Sequence, residues 1–307
     1  MKKLLLGFAL LSLILMAACG GEESKAAQGK TMEVEHSLDT VQVPKNPQKV
    51  VVFDFGMLDT LKQLDVDVAG VPKDSLPSYL SEYDSDEYEH VGGLKEPDFE
   101  AIHAMDPDLI IISGRQMNLY EDFKEIAPTI FIELDYENYM DSFKHNVNLM
   151  GKIFDKQDQV EKEVSEIDGL VEELQAKTTD SEKTGLITLA TGGKVSAYGP
   201  GSRFGIMHDV FGVKPADDTI EVATHGQKIS FEFIVEKDPD YLYVIDRDAV
   251  VNDEPAAKET IENDLVKNTK AYQNNQIVYL DPNYWYLSGG GLISVKEMVK
   301  EINQSFE

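Results

Sequence analysis

Two apolar runs stand out in the chain, Leu109-Ile110-Ile111-Ile112 and Tyr241-Leu242-Tyr243-Val244-Ile245, each short and without polar alternation. Runs of this length and residue type predict strands buried on both faces, as in the parallel sheet of an α/β protein. The residues leading into them are also alike. Pro97-Asp98-Phe99-Glu100-Ala101-Ile102 and Ile229-Ser230-Phe231-Glu232-Phe233-Ile234 superpose at a constant offset of 132 residues, as do Asp106-Pro107-Asp108 with Asp238-Pro239-Asp240 and Arg115 with Arg247. Each copy predicts a short helix opened by an Asp or Ser cap, an Asp-Pro-Asp turn and a strand. A period this long marks duplicated lobes, since solenoid units repeat every 20 to 50 residues or about that.

Between the copies, Val160, Val164, Ile167, Leu170, Val171 and Leu174 recur at helical spacing with Glu and Lys on the other faces. The pattern suits a connecting helix, which would limit the lobes to small rocking motions. It suits a helix packed on one lobe equally well. The fold expected is α/β, two Rossmann-like lobes joined by one long helix: an N-terminal lobe at 38–155, the helix at 156–178 and a C-terminal lobe at 179–307, each lobe with its own core.

The N-terminus has a different pattern. Met1-Lys2-Lys3, the apolar run Leu4 to Leu15 and the small pair Ala17-Ala18 read as a secretory signal over residues 1–18, too short for a stable membrane span. Cys19 is the only cysteine, so no intramolecular disulfide can form. Met16-Ala17-Ala18-Cys19-Gly20 resembles the bacterial lipobox, with Met where Leu is commonest; in that motif a peptidase cuts before Cys and the sulfur takes a diacylglycerol. Residues 19–37 then read as the lipidated Cys and a flexible tether.

Charge narrows the partners. The formal net charge is −28, which argues against nucleic acid and against anionic lipid. Of 28 basic residues only Arg115, Arg203 and Arg247 are arginine. A chain that otherwise takes lysine implies that the planar, forked guanidinium is required at these three places. Each follows an apolar segment, and ligands of open α/β sheets bind at the carboxyl ends of strands. The expectation is three convergent cations for a multiply charged anion with flat, bidentate oxygens; arginines that satisfy buried carboxylates are the alternative. The sequence has no Gly-x-Ser-x-Gly elbow, no His-Glu-x-x-His and no Walker Gly-Lys-Ser/Thr, which weighs against an enzyme. His36, His90, His103, His145 and His208 show no metal-ligand spacing, and His208-Asp209 suits a surface or capping role on a helix over 204–211.

The lipobox, the duplicated Glu-x-Ile…Asp-Pro-Asp segments, Ser202-Arg203-Phe204-Gly205, His225-Gly226-Gln227-Lys228-Ile229-Ser230-Phe231-Glu232 and Tyr284-Trp285-Tyr286-Leu287-Ser288-Gly289-Gly290 resemble the substrate-binding lipoproteins of ferric-siderophore ABC importers, catecholate type. The likeness covers nearly all of the mature chain. It implies the class III periplasmic-binding-protein fold with a shallow interlobe cleft, no enzyme activity and no permanently bound cofactor. The ligand it implies is a ferric catecholate siderophore, petrobactin-like and triply negative, held by Arg115, Arg203 and Arg247. It gives His225 and Tyr286 as metal ligands when the siderophore supplies only four oxygens, with Trp285 or Tyr284 packing beneath the loop. Glu100 and Glu232 would each dock on one subunit of an ABC permease dimer driven by a cytoplasmic ATPase. Lipidated Cys19 would hold a monomer on the outer face of a Gram-positive cell membrane. Haem or another iron chelate as cargo, and less so a secreted hydrolase, are the alternatives.

Overall fold

The computed structural model describes residues 30–307; the expected signal sequence at 1–18, Cys19 and residues 20–29 lie outside them. The described chain opens with a hairpin of β1 (Thr31–His36) and β2 (Asp39–Pro44), paired antiparallel from Thr31 opposite Pro44 to His36 opposite Asp39. The expected tether of 19–37 therefore runs too far. Met32 and Val34 alternate with Thr31, Glu33 and Glu35, a period of two that sends Val34 into the core.

The next strands and helices are β3 (Val50–Val52), α1 (Phe55–Gln63), β4 (Gly70–Val71), β5 (Glu89–His90), α2 (Phe99–Met105), β6 (Leu109–Ser113), α3 (Tyr120–Lys124) and β7 (Thr129–Ile132). The strands form a parallel sheet in the order β5-β4-β3-β6-β7, which reverses direction between β3 and β6. That reversal is the switch point where Rossmann-like sheets open a crevice. Helices α4 (Tyr139–Ile153) and α5 (Gln157–Thr178) carry the chain to a second sheet.

The second half contains β8 (Thr184–Thr191), β9 (Lys194–Tyr198), α6 (Ile206–Asp209), β10 (Lys214–Pro215), β11 (Gln227–Ile229), α7 (Phe231–Lys237), β12 (Tyr241–Asp246), α8 (Asp248–Val251), α9 (Ala257–Ile261), α10 (Lys270–Gln273), β13 (Ile277–Leu280) and α11 (Leu292–Ser305). Its order is β11-β9-β8-β12-β13, with β10 also on β8. Strands β8, β10, β12 and β13 run parallel, whereas β9 runs antiparallel to both β8 and β11.

Both apolar runs are buried on two faces. In β6, Leu109 and Ile111 enter a central core while Ile110 and Ile112 pack outward; in β12, Tyr241, Tyr243 and Ile245 point inward and Leu242 and Val244 outward. Each lobe keeps an outer core of its own, around Ile110 and Phe123 in the first and Leu242 and Ile261 in the second, and the two also share a third. The central cluster is continuous across them, from Val50 and Val52 through Val160, Ile167 and Leu174 of α5 to Ile187 and Tyr243. A second helix bridges as well, because α11 packs on α1 of the first half and on α5, while Tyr243 Oη is 2.8 Å from Ser305 Oγ at its far end. One continuous core restricts hinge motion more than a single connecting helix would.

The duplicated segments fold alike. Asp98 caps α2 by accepting from Ala101 N at 3.0 Å, and Ser230 caps α7 by accepting from Phe233 N at 3.3 Å. Both helices end on an aspartate in the left-handed region, Asp106 at φ 50° and Asp238 at φ 40°. Asp108 then accepts from Gln48 N and Lys49 N, and Asp240 from Thr184 N, so each Asp-Pro-Asp turn ties its strand to the neighbouring one.

Candidate ligand-binding site

Arg115 lies just beyond β6 and Arg247 just beyond β12, both at carboxyl ends of parallel strands beside the switch points. Arg203 arrives differently. It follows β9, which is antiparallel, so the carboxyl-end rule does not place it. A turn does: Gly201 adopts φ 69°, Ser202 Oγ donates to Gly199 O at 2.5 Å, and Phe204 is buried against Tyr198 with ring centroids 4.5 Å apart.

The three guanidinium groups meet on one residue. Arg115 and Arg203 each donate through Nη2 to the backbone oxygen of Tyr286, at 3.2 and 2.6 Å, and Arg247 donates through Nε to the Tyr286 hydroxyl at 2.8 Å. The carbons at the centres of the Arg203 and Arg247 guanidinium groups also lie 4.6 and 5.6 Å from the Tyr286 ring centroid, within cation-π range. Tyr286 belongs to a π-helical turn, Asn283–Ser288, a geometry that concentrates at functional sites.

Compensation of the three charges is uneven. Arg247 has Asp248 Oδ1 at 3.6 Å and donates to Thr191 Oγ1 at 3.2 Å. Among the described residues neither Arg115 nor Arg203 has a carboxylate oxygen within 4.0 Å, so direct pairing with a carboxylate describes Arg247 alone, while the buried Asp54 carboxyl acts on Arg115 at longer range. Burial, then the charge of Arg203, pulls Arg115 below the usual guanidinium range, with Asp54 opposing. Burial would push the Tyr286 phenol up, but the Arg247 hydrogen bond and the charges of Arg247, Arg203 and Arg115 outweigh it and the net shift is downward. An anion seated here would meet two forks without an ion pair and a third that is partly neutralised.

Several participants carry no sequence signal of their own. Asp54 caps α1 by accepting from Met57 N at 2.8 Å, and its carboxyl is raised by burial. Gln116 is buried behind Arg115, accepting from Ser113 N and donating to Leu94 O. A cavity of 590 Å³ opens beside the cluster, lined by Glu133, Leu134, Asp135, Tyr136, Glu137, Ser142 and Gly201. Tyr136 is near enough for its phenol to act on Arg115 and Tyr198.

Other expected residues are elsewhere. His225 is exposed, on a turn closed by Gly226 N donating to Ala223 O at 2.9 Å, and no contact joins it to Tyr286. Gly226 has φ 70°, and a Cβ there would come within 2.7 Å of the Tyr198 ring, so the turn needs glycine to lie against the cleft wall. Trp285 is buried beneath the site, edge-on to Phe204 and Phe211, while Tyr284 stacks at a tilt on Tyr79. His208 is half-buried with Nδ1 2.7 Å from Val213 O, and Asp209 accepts from Gly201 N, a local capping arrangement. Glu100 and Glu232 are both exposed in the first turns of α2 and α7. Glu100 borders a hollow of 390 Å³ with Phe99, His103 and Ala104. Among the described residues no three His, Cys, Asp or Glu side chains form a metal-binding group, and no helix is long and apolar enough to cross a membrane.

Two sheets with switch points facing a shared arginine cluster define a bilobal solute-binding architecture. The chain matches the periplasmic binding protein family over residues 50–284 and belongs to it. Among its relatives, the petrobactin-binding protein YclQ of Bacillus subtilis is 48% identical over the whole of both chains. The crystal structure of YclQ superposes with a TM-score of 0.89 over 91% of this chain and 99% of that one. The ferric-anguibactin-binding protein FatB of Vibrio anguillarum is 34% identical over 96% of this chain and 95% of its own. The siderophore-binding protein BauB, solved with two acinetobactin molecules and ferric iron, matches with a TM-score of 0.84 and 34% identity, over 91% of this chain and 99% of that one.

Proposed function

We propose that this protein is the extracellular, lipid-anchored receptor of an ABC importer and captures a ferric catecholate siderophore, petrobactin-like, without chemical turnover. The observation that carries the reading is the convergence of Arg115, Arg203 and Arg247, drawn from both lobes, on Tyr286, with two of the three lacking a carboxylate partner. Each guanidinium spends one or two of its five donors within the protein, which leaves the remaining edges for catecholate oxygens. The names of YclQ and FatB support the cargo class. Haem would occupy two arginines with its propionates and leave the third unanswered.

For a siderophore that supplies only four oxygens, Tyr286 and His225 are the proposed iron ligands. The downward shift of the Tyr286 phenol favours the phenolate, a hard donor suited to ferric iron. His225 would reach it only by movement of the exposed turn at residues 221–226. Glu100 and Glu232 are the proposed docking residues, one carboxylate per lobe for each half of a permease dimer with its cytoplasmic ATPase, and the receptor works as a monomer held through Cys19 on a Gram-positive cell membrane. The test is a tryptophan-quenching titration with a panel of ferric siderophores, since Trp285 is the only tryptophan and packs beneath the arginines. A ferric catecholate that quenches at nanomolar concentration while a ferric hydroxamate does not supports the reading; equal quenching by both contradicts it.

A further inference from the structure

Tyr286 occupies the middle of a strap, residues 281–291, that leaves β13, passes through the π-helical turn and three glycines, and enters α11. Two carboxylates hold its ends. At the start, Glu301 of α11 accepts from Asp281 N at 2.9 Å and from the Trp285 indole N–H at 2.7 Å. At the end, Asp59 of α1 accepts from Ile293 N at 3.2 Å and Ser294 N at 3.0 Å, so a side chain of the first lobe caps the last helix of the chain. Tyr79 extends this second clamp to the strap itself, its hydroxyl lying 3.0 Å from Asp59 Oδ2 and 2.7 Å from Ser288 Oγ.

The fit is close enough to dictate residue types. A Cβ on Gly291 would lie 1.9 Å from Asp59 Oδ1, and one on Gly56 would lie 2.6 Å from Gly289 O. Asn283 Oδ1 accepts from Ser78 N at 3.0 Å, adding a polar tie to the first lobe near the π-turn. Hydrogen-bonded acids this deeply placed are not needed to dock a loop, because apolar contacts would hold it with less desolvation.

We propose that Asp59 and Glu301 are positioning residues of the binding site, clamping the strap from opposite ends so that Tyr286 keeps the three guanidinium groups aligned before a ligand arrives. The inference rests on the ferric-catecholate reading for its ligand, and it adds a proton dependence. Burial raises both carboxyls to about 7, against the hydrogen bonds that favour their charged forms. The groups facing Asp59 are phenols: Tyr79 and Tyr83 from the segment after β4, Tyr139 of α4 and Tyr284 of the strap, all shifted upward and neutral near pH 7. Facing Glu301 are Asp281 and Tyr284 of the strap and Glu297 of its own helix, itself bonded to Lys300.

Linkage fixes the sign. A strap in place holds both acids at raised affinity for protons, and a released strap returns them to the ordinary carboxylate range. Protonation therefore favours the strap in place, and a rise of pH through about 7 loosens it.

The test uses the full chain and a preformed ferric catecholate complex. Without ligand, Trp285 emission should titrate near neutral pH in the wild type and lose that step in Glu301→Gln. With ligand, the affinity of Glu301→Gln relative to wild type should rise about threefold or more between pH 6 and 8, because only the wild type loses the Glu301 clamp on ionisation; the ratio cancels the titrations common to both, those of Asp59 and of the ligand. Tyr79→Phe and Ser288→Ala, which leave both acids in place, should each weaken binding by roughly three- to tenfold, the effect of one buried hydrogen bond. An emission that does not titrate, a ratio flat with pH, or wild-type affinity in both Tyr79→Phe and Ser288→Ala would overturn the clamp. Failure of the wild type to bind any ferric catecholate would instead refute the ligand reading, and the clamp would then stand or fall on the Trp285 step.

Discussion

The two copies of the duplicated segment share a scaffold and differ at the ligand. Both use a side-chain cap, a left-handed aspartate and a turn carboxylate that fastens the neighbouring strand. Their arginines then diverge: Arg115 donates to the carbonyl of Tyr286 with no ion pair, and Arg247 donates to its hydroxyl while sharing Asp248 and Thr191. Duplication preserved what builds the lobe, and the two duplicated arginines were specialised by which atom of a single tyrosine each addresses. The cleft is symmetric in construction and asymmetric in electrostatics, with Arg115 and Arg203 lacking the ion pair that Arg247 has.

The largest expected effect probes the symmetric side. Reversing both docking carboxylates, Glu100→Arg with Glu232→Arg, should abolish uptake by cells and leave the affinity of the isolated protein unchanged; weakened binding in solution would mean that these residues act on the cleft instead. Next comes the asymmetry. Arg203→Ala should cost about 2 kcal/mol or more in binding, as loss of one partner of a desolvated charge pair does, and Arg247→Ala about 1 kcal/mol less than that because Asp248 already offsets part of its charge. Equal losses, measured by calorimetric titration, would erase the electrostatic distinction between the ion-paired and the unpaired arginine.

Smaller effects test the shared scaffold. Asp98→Ala and Ser230→Ala each remove an N-cap and should destabilise the fold by about 1 kcal/mol in denaturant unfolding, with ligand affinity kept. The left-handed positions should part company by the least. Asp106→Gly should be nearly neutral, whereas Asp238→Gly also loses the bond from Lys270 N at 2.8 Å and should cost about 1 kcal/mol more.

Much of this architecture is legible from residues alone. The repeat, the two apolar runs and the stripe of α5 specify the paired sheets and the helix between them, because strand burial and helical periodicity leave direct marks on residue type. The scarcity of arginine singles out the three cations. What escapes the sequence has physical reasons. The focus of the cluster is partly a backbone oxygen, which every residue possesses, so Tyr286 can be named for its phenol and not for its carbonyl. Asp54, Asp59, Asp248 and Glu301 are few among 56 acidic residues, and nothing local tells a buried carboxylate from a solvated one. Arg203 reaches the site through a turn after an antiparallel strand, and the continuous core arises from packing between distant segments, neither of which spacing encodes.

The central claim is that both lobes grip one anion, and Arg115 is the only guanidinium of the first lobe. The most direct check is a calorimetric titration of Arg115→Ala with a ferric catecholate that saturates the wild type. The account predicts a loss of about tenfold or more in affinity with the fold intact; an isotherm indistinguishable from wild type would contradict it.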